Sequence, residues 1–268
     1  MAGKERLDKI LVDLGLVETK SKAQSLIMSG DVLVNNEKIT KPGQGFANPL
    51  ELDIVVKTMP YVSRGGFKLE KALKEFAINP AGKICLDAGA STGGFTDCML
   101  QNNAKFIYAV DVGYGQIAWK IRQNPKVKVI ERTNIKNCEL NDIFDNPDDE
   151  KCDFCAMDLS FISITKVLRN IRRFLKDEFA IVCLIKPQFE AGRESIGKNG
   201  VVTDKKVHLE VIKNIVQFAY ENKLYPQKLT FSPIKGPKGN IEYLIYLTNN
   251  ENNILDDKIL EVIEKVEL

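Results

Sequence analysis

The fourteen residues from Lys83 to Thr96 (KICLDAGASTGGFT) constrain this chain more than any other stretch. An apolar run of Ile84, Cys85 and Leu86 meets an acid, Asp87, and a glycine-rich turn through Gly89, Gly93 and Gly94 then opens a helix. Strand, tight turn and helix in that order is how open α/β sheets build a nucleotide-sized pocket. Glycine suits the turn because the backbone must approach a ligand closely and reach dihedrals that a Cβ forbids. The Asp-x-Gly-x-x-x-Gly-Gly spacing lacks the Gly-x-Gly-x-x-Gly register that seats a pyrophosphate, and Ser91 and Thr92 fill its middle. The expected ligand is therefore an adenosyl group without phosphates, with S-adenosylmethionine as candidate cofactor, and a dinucleotide dehydrogenase is disfavoured. On this stretch alone, a purely structural strand-to-helix turn remains an alternative.

The chain beyond the turn repeats the strand pattern. AKFIYAV runs into Asp111, KCDFCAM into Asp158, and FAIVCLI into Lys186. Short, continuous apolar runs are what strands buried on both faces look like. Together with Asp87 they make four charged strand ends, and in a doubly wound sheet such ends line one crevice where ligands bind. Asp111 follows Asp87 by 24 residues, close to the ~20-residue offset of an acid that binds ribose hydroxyls; capping the next segment is the alternative. Asp158 and Lys186 are expected to end adjacent strands and to meet, as a buried ion pair or as a catalytic pair. Asp87 is expected either to order the glycine turn or to approach the ligand's amino group through water. The segment PQFEAGRESIGKNGVV after Lys186 reads as a functional loop or lid. A helix after Thr203 turns Val207, Val211, Ile215 and Phe218 inward and carries His208, the one histidine, in a structural role. KLTFSPIKGPKGNIEYLIYLT reads as a hairpin whose second arm starts at Glu242, and Ile254 to Leu268 as a packing helix. The fold class is thus α/β, a Rossmann-like methyltransferase sheet, mostly parallel and closed by an antiparallel hairpin.

Ahead of the turn, YVSRGGFKLEKALKEFAI forms an amphipathic helix from about Gly66, with Leu69, Ala72, Leu73 and Phe76 as its apolar stripe. Lys68 lies beside that stripe and Lys71 points away from it, so Lys68 is the lysine placed to serve a site; a snorkelling edge lysine is the alternative.

With 268 residues there is room for one large domain and a small satellite. No apolar run of about 18 residues is present to span a bilayer, and MAGKERLDKI is too polar for a signal peptide, so a cytoplasmic protein is expected. Cys85, Cys155 and Cys183 sit in apolar runs as small hydrophobes. Cys152 and Cys155 form a lone C-x-x-C with no second pair, so no metal is expected.

The first sixty residues hold eight basic and eight acidic side chains, so any RNA-binding role there rests on pattern and not on net charge. Leu7, Ile10, Leu11 and Leu14 recur at helical spacing; a second helix is capped by Thr19 or Ser21 and stopped by Gly30; DVLVNNEKIT is a hairpin around Asn35-Asn36; ELDIVVKT is an edge strand. Two helices and a hairpin in this order resemble the S-four-type RNA-binding domain, through Arg6-Leu7-Asp8, Ser21-Lys22-Ala23, Ser29-Gly30 and Val32-Leu33-Val34-Asn35. That resemblance implies contacts to RNA phosphates from Arg6, Ser21 and Lys22. The expected boundaries are 1–58 for this small α+β domain, 59–62 for a linker and 63–268 for the catalytic domain.

The ordered set SRGGFKL, LDAGASTGGFTD, DLSFIS, LIKPQFE and GNIEY, together with the first module, resembles the TlyA, or haemolysin A, family of ribosomal RNA 2′-O-methyltransferases over essentially the whole chain. The second domain is similar to FtsJ-like methyltransferases, whose Lys-Asp-Lys-Glu tetrad falls on Lys68, Asp158, Lys186 and Glu242. The resemblance implies S-adenosylmethionine binding by Asp87, Gly89, Ser91, Gly93, Gly94, Phe95 and Thr96, with Asp111 on the ribose. It implies ribosomal RNA within ribosomal subunits as partner, cytidine as the methylated nucleoside, and RNA contact from Arg64 in SRGGFKL. Lys186 is the expected contact to the reacting oxygen, made easier to deprotonate by burial and by Lys68, with Asp158 holding its ammonium and Glu242 orienting the pair. The linker reads TMPY where better-known members carry an Arg-Ala-Trp-Pro-type sequence, so their linker-dependent switching is not carried over. A non-catalytic RNA-binding assembly factor is the rival reading, and a pore-forming haemolysin, suggested by the family's older name, is disfavoured by the lack of an apolar span.

Overall fold

The computed structural model describes residues 4–47, 49–56, 59–146, 149–197, 199–251 and 256–266. The chain divides into two compact units, Met1–Pro60 and Tyr61–Leu268. Thr58 of the expected boundary and Ile254 and Leu268 of the expected terminal helix lie outside the described residues.

In the first unit, β1 (Glu5–Arg6) leads into α1 (Leu7–Asp13), followed by α2 (Lys20–Ser29), β2 (Val32–Val34), β3 (Glu37–Ile39), β4 (Gly45–Phe46) and β5 (Ile54–Val56). The Thr19 hydroxyl caps α2 by accepting the Lys22 amide, and Gly30 closes it at φ +77°. Asn35 and Asn36 both adopt positive φ, the condition for a two-residue hairpin turn whose twist matches its strands. β5 pairs with β2 at the edge of a three-stranded antiparallel sheet ordered β3-β2-β5. Leu7, Leu11, Ala23, Ile27, Val32 and Val34 form the core beneath it.

The second unit begins with α3 (Gly65–Phe76), then alternates β6 (Ile84–Ala88), α4 (Gly94–Gln101), β7 (Phe106–Val110), α5 (Trp119–Arg122), β8 (Val127–Ile130), α6 (Leu140–Ile143), β9 (Cys152–Met157), α7 (Thr165–Arg173) and β10 (Leu175–Ile185). It ends with α8 (Pro187–Glu190), α9 (Lys205–Glu221), β11 (Tyr225–Phe231), β12 (Tyr243–Thr248) and α10 (Asp256–Glu264). The seven-stranded sheet runs β11-β12-β10-β9-β6-β7-β8. β6 to β10 are parallel, while β12 lies antiparallel between β10 and β11. Strand order reverses between β6 and β9, the place where open sheets leave a crevice outside the carboxyl ends of their strands.

Alternation along the central strands feeds two apolar layers. Cys85, Ile107, Phe154 and Val182 pack against α3 and α4 through Leu69, Phe76 and Met99. Leu86, Cys155, Ile181 and Tyr243 pack against α7, α9 and α10 through Leu168, Ile215 and Ile263. All six cysteines are free and buried, and burial pushes the thiols of Cys85 and Cys98 up to about 12. No described helix is long and apolar enough to cross a membrane.

Two expectations need correction. The segment after Lys186 is not an open loop throughout, since it folds at once into α8 and, at Arg193–Ser195, a single 3₁₀ turn; its Lys198 lies outside the described residues. Lys71 does not point to solvent: it donates to the Phe231 carbonyl at 2.8 Å and lies 3.5 Å above that ring. The reason is that α3 packs against the β11–β12 hairpin as well as α4, so more than one face is covered and a single-stripe reading sees only one. His208 is structural but partnered, its ring nitrogens 2.8 Å from the Tyr243 hydroxyl and 3.0 Å from the Val202 carbonyl.

Candidate active site

The parallel strands bring ionisable residues to one rim. Asp158 follows β9 and Lys186 follows β10, its neighbour, and the two side chains make a 2.6 Å ion pair between Lys186 Nζ and Asp158 Oδ1. Lys68, one turn into α3, reaches the same point and bridges Asp158 Oδ2 at 3.1 Å and Glu242 Oε2 at 2.7 Å. Glu242 is the residue immediately before β12, the antiparallel strand beside β10, and reaches the same point from the hairpin. Four side chains from α3, β9, β10 and the hairpin thus close one chain, Glu242 to Lys68 to Asp158 to Lys186.

Electrostatics follows from that geometry. Burial pulls Lys68 down, but Asp158 and Glu242 outweigh it, and its ammonium is held above the ordinary lysine range. Burial pushes Asp158 up, but Lys186 and Lys68 outweigh it and hold its carboxyl below the usual range. Both groups are therefore charged at neutral pH. Glu242 is only 1% exposed, and its Oε1 has no hydrogen-bond partner among the described residues.

A cleft of about 360 Å³ opens over the tetrad, lined by Gly89, Ser91, Gly94 and Phe95 together with Arg64, Lys235 and Gly236. A hollow of about 270 Å³ shares Gly89, Ser91, Asp158 and Ser160 with it and continues past Asp111 and Val112 to Thr133, Ile135 and Leu159. Gly89 holds φ +87°, and a Cβ there would sit 2.6 Å from the Asp158 carbonyl oxygen. The β6 and β9 loops are in contact at the switch point, and only glycine allows it.

Residues 61–249 match the FtsJ-like methyltransferase family and residues 5–45 the S4 domain. Bacillus subtilis YqxC, which carries the provisional title of rRNA methyltransferase, is 45% identical over 267 residues, covering 98% of this chain and 94% of the relative. Mycobacterium tuberculosis TlyA, named a 16S/23S rRNA (cytidine-2′-O)-methyltransferase, is 38% identical over 262 residues, 97% of this chain and 96% of its own. A solved Streptococcus thermophilus structure, provisionally titled a hemolysin, superposes with a TM-score of 0.76 at 40% identity and covers 99% of this chain and 96% of that one. The chain belongs to the TlyA family.

In this TlyA-family chain the remaining expected site residues fall into two groups. Gly89, Ser91, Gly94 and Phe95 line the cleft. Asp111 lines the hollow, where its carboxylate accepts the Ser91 amide at 2.7 Å and the Gly113 amide at 2.7 Å. It staples the glycine turn and caps the following segment while keeping lone pairs for a hydroxyl. Asp87, Gly93 and Thr96 line neither cavity. Asp87 is one residue short of the strand end, fully buried, and accepts the Thr96 hydroxyl at 2.5 Å; burial pushes it up to about 7 against that bond. It orders the turn from beneath. Gly93 at φ +94° is the cap that starts α4. In the first unit, Ser21 and Lys22 are exposed, whereas Arg6 is held by Asp8 through bonds of 3.0 and 2.7 Å. Arg64 is exposed at the start of α3, on the cleft wall.

Within DLSFIS, Ser160 and Phe161 join the site although nothing in the motif alone marks them. Phe161 is 90% exposed at φ +64°, with its ring centroid 5.0 Å from that of Phe189, beside a pocket of about 450 Å³ that also borders Lys186 and Gln188. A large apolar residue in a strained backbone conformation on a pocket rim is a signal that only coordinates carry. Asn240 was also missed: its buried amide donates to the Gly200 carbonyl at 2.9 Å and accepts the Val202 amide at 3.2 Å, tying the post-α8 segment to the loop that bears Glu242.

Proposed function

We propose that this chain methylates a ribose 2′-hydroxyl of ribosomal RNA, with cytidine as the nucleoside, using S-adenosylmethionine. The carrying observation is the Glu242–Lys68–Asp158–Lys186 ion-pair chain lining one part of a two-part cavity. The cavity fits the donor: Val110, Ile135 and Leu159 offer an apolar seat for adenine beside the Asp111 carboxylate, and the Gly89–Gly94 backbone offers close approach for the amino-acid part. When bound, S-adenosylmethionine supplies an activated methyl group on a sulfonium. Asp111 would hold its ribose, and the glycine turn its remainder.

With the methyl already activated, the protein's task is alignment and handling of one proton. Lys186 contacts the 2′-oxygen, Asp158 holds its nitrogen in place, and Lys68, compensated by Asp158 and Glu242, fixes the carboxylates. Exposed Phe161 beside Phe189 offers a stacking surface for an unstacked base, as single-stranded RNA recognition requires. The first unit supplies RNA affinity through Ser21 and Lys22, and Arg64 adds a cation at the cleft. The relatives' names support the ribosomal substrate: the Mycobacterium tuberculosis protein is named for cytidine 2′-O-methylation of both rRNAs.

The test incubates ribosomal subunits from an unmodified strain with labelled donor and maps the label by mass spectrometry. Label on a cytidine ribose is expected with the native chain, and none with Lys186→Ala, whose donor affinity by calorimetry stays within about threefold. Full turnover by that variant refutes the role given to Lys186, and label on a base refutes the reaction.

A further inference from the structure

Ser160 is the side chain on which the cavities around the tetrad converge: it borders the cleft, the Asp111 hollow and the Phe189 pocket. Its hydroxyl accepts a hydrogen bond from Lys186 Nζ at 2.9 Å. Asp158 Oδ1 lies 2.6 Å from that nitrogen as an ion-pair partner without making a directed hydrogen bond, so among the described residues the directed bond to the nitrogen goes to Ser160. A tetrahedral nitrogen bonded to Cε has three further positions. The carboxylate's charge holds the nitrogen near without setting its turn about the Cε–Nζ bond; the directed bond to Ser160, added to that hold, fixes where the remaining positions point. The other charges facing this nitrogen are Lys68 on α3 and Glu242 ahead of β12, with Arg64, Lys235 and Lys238 on the cavity walls, and none of these is an oxygen partner of it.

We propose that Ser160 is a positioning residue for methyl transfer, one that aims the free position of Lys186 Nζ at the reacting oxygen. The proposal rests on the function stated above. In that step the 2′-oxygen bonds to the methyl carbon as the carbon–sulfur bond breaks, and the electron pair of that bond stays on sulfur. The hydroxyl proton leaves to solvent, and the third N–H of the Lys186 ammonium donates to the 2′-oxygen as negative charge develops on it. Asp158 balances the ammonium's charge, and Ser160 keeps the nitrogen from swinging between the three cavities. A serine two residues past the tetrad aspartate does this without adding a charge, so the ion-pair chain is undisturbed.

The test compares Ser160→Ala, Ser160→Val and Ser160→Thr, since Val matches Thr in shape and lacks only the hydroxyl. On unmodified ribosomal subunits with labelled donor, Ala and Val are expected to lose about tenfold in kcat, with KM for subunits and donor Kd within about twofold, while Thr recovers most of the rate. A second readout needs no substrate: trace labelling of Lys186 by acetic anhydride at one fixed pH, followed by mass spectrometry. Removing the hydroxyl takes one charge-assisted acceptor from the nitrogen, so labelling is faster in Ala and Val but not in Thr. The signature is a slower enzyme whose lysine is less firmly held, with the Thr variant behaving as the native chain. Equal rates for Val and Thr, or unchanged labelling in Ala and Val, overturn the proposal. If the native chain transfers no label to subunits, the proposed function fails, and the labelling series alone still decides whether Ser160 holds Lys186.

Discussion

Asp158→Asn removes the one charge that both lysines share while keeping the side chain's shape. In the native chain Asp158 lies 2.6 Å from Lys186 and 3.1 Å from Lys68, with 19% of its side chain exposed. Deleting one member of a buried ion pair costs ~3–5 kcal/mol, because the partner is left buried and uncompensated. Here Lys68 retains Glu242 at 2.7 Å and Lys186 retains the Ser160 hydroxyl at 2.9 Å, so the lower end, about 3 kcal/mol, applies. At ~2–4 °C per kcal/mol for a unit of this size, the melting temperature falls by about 6–12 °C at pH 7. The pH dependence separates this cause from a packing defect. The folded-state pKa of Asp158 is depressed by the two lysines, so its stabilisation is present above the unfolded value near ~3.9 and is lost as pH falls through the folded one. Urea midpoints of the two proteins should therefore differ fully at pH 7 and begin to converge only as pH falls below about 4. Donor affinity stays within about threefold, and methyl transfer drops by at least about 100-fold as Lys186 loses its counter-charge. Equal midpoints at pH 7, or a gap that persists undiminished at pH 3, refute the account.

Gly94→Ala puts a Cβ against the Ser63 hydroxyl and 2.9 Å from the Gly66 amide nitrogen, which forces the starts of α3 and α4 apart; stability falls by about 1–3 kcal/mol and donor binding weakens, as calorimetry with S-adenosylmethionine reports. Phe161→Ala, at a 90% exposed position, leaves the melting temperature unchanged but weakens binding of an RNA oligonucleotide by about 1–3 kcal/mol; undiminished RNA affinity would remove the stacking role. For Asp87, whose buried carboxyl is pushed up to about 7, the folded value lies above the unfolded one, so ionisation costs native stability as pH rises from ~4 to 7. Asp87→Asn should gain on the native chain by something on the order of 4 kcal/mol across that interval, and a pH-independent difference would sink the argument.

Much of this protein was legible before any coordinates. Periodicity exposed the strands because they are buried on both faces, and buried strands must be apolar throughout; hence Asp158 and Lys186 stood out as charges at the ends of greasy runs. Thr19, Gly30 and the Asn35-Asn36 pair declared their turns through local backbone chemistry that needs no tertiary partner. Glu242 and Lys68 were different: one begins a hairpin arm and the other edges a helix stripe, and only family resemblance joined them to the pair.

What the sequence determined, then, is everything set by neighbours along the chain: strand and helix periods, caps, and the glycine turn. What the tertiary structure decided is everything set by neighbours across it. That β12 slips in between β10 and β11 brings Glu242 to Lys68. That Asp87 sits one residue inside β6 sends it under the turn and away from the cavity. That Phe161 takes a left-handed φ turns an apolar residue out to solvent. Local propensity acts over a few residues, while these placements depend on strand order and on which face of the sheet each residue meets, and those are properties of the packed whole.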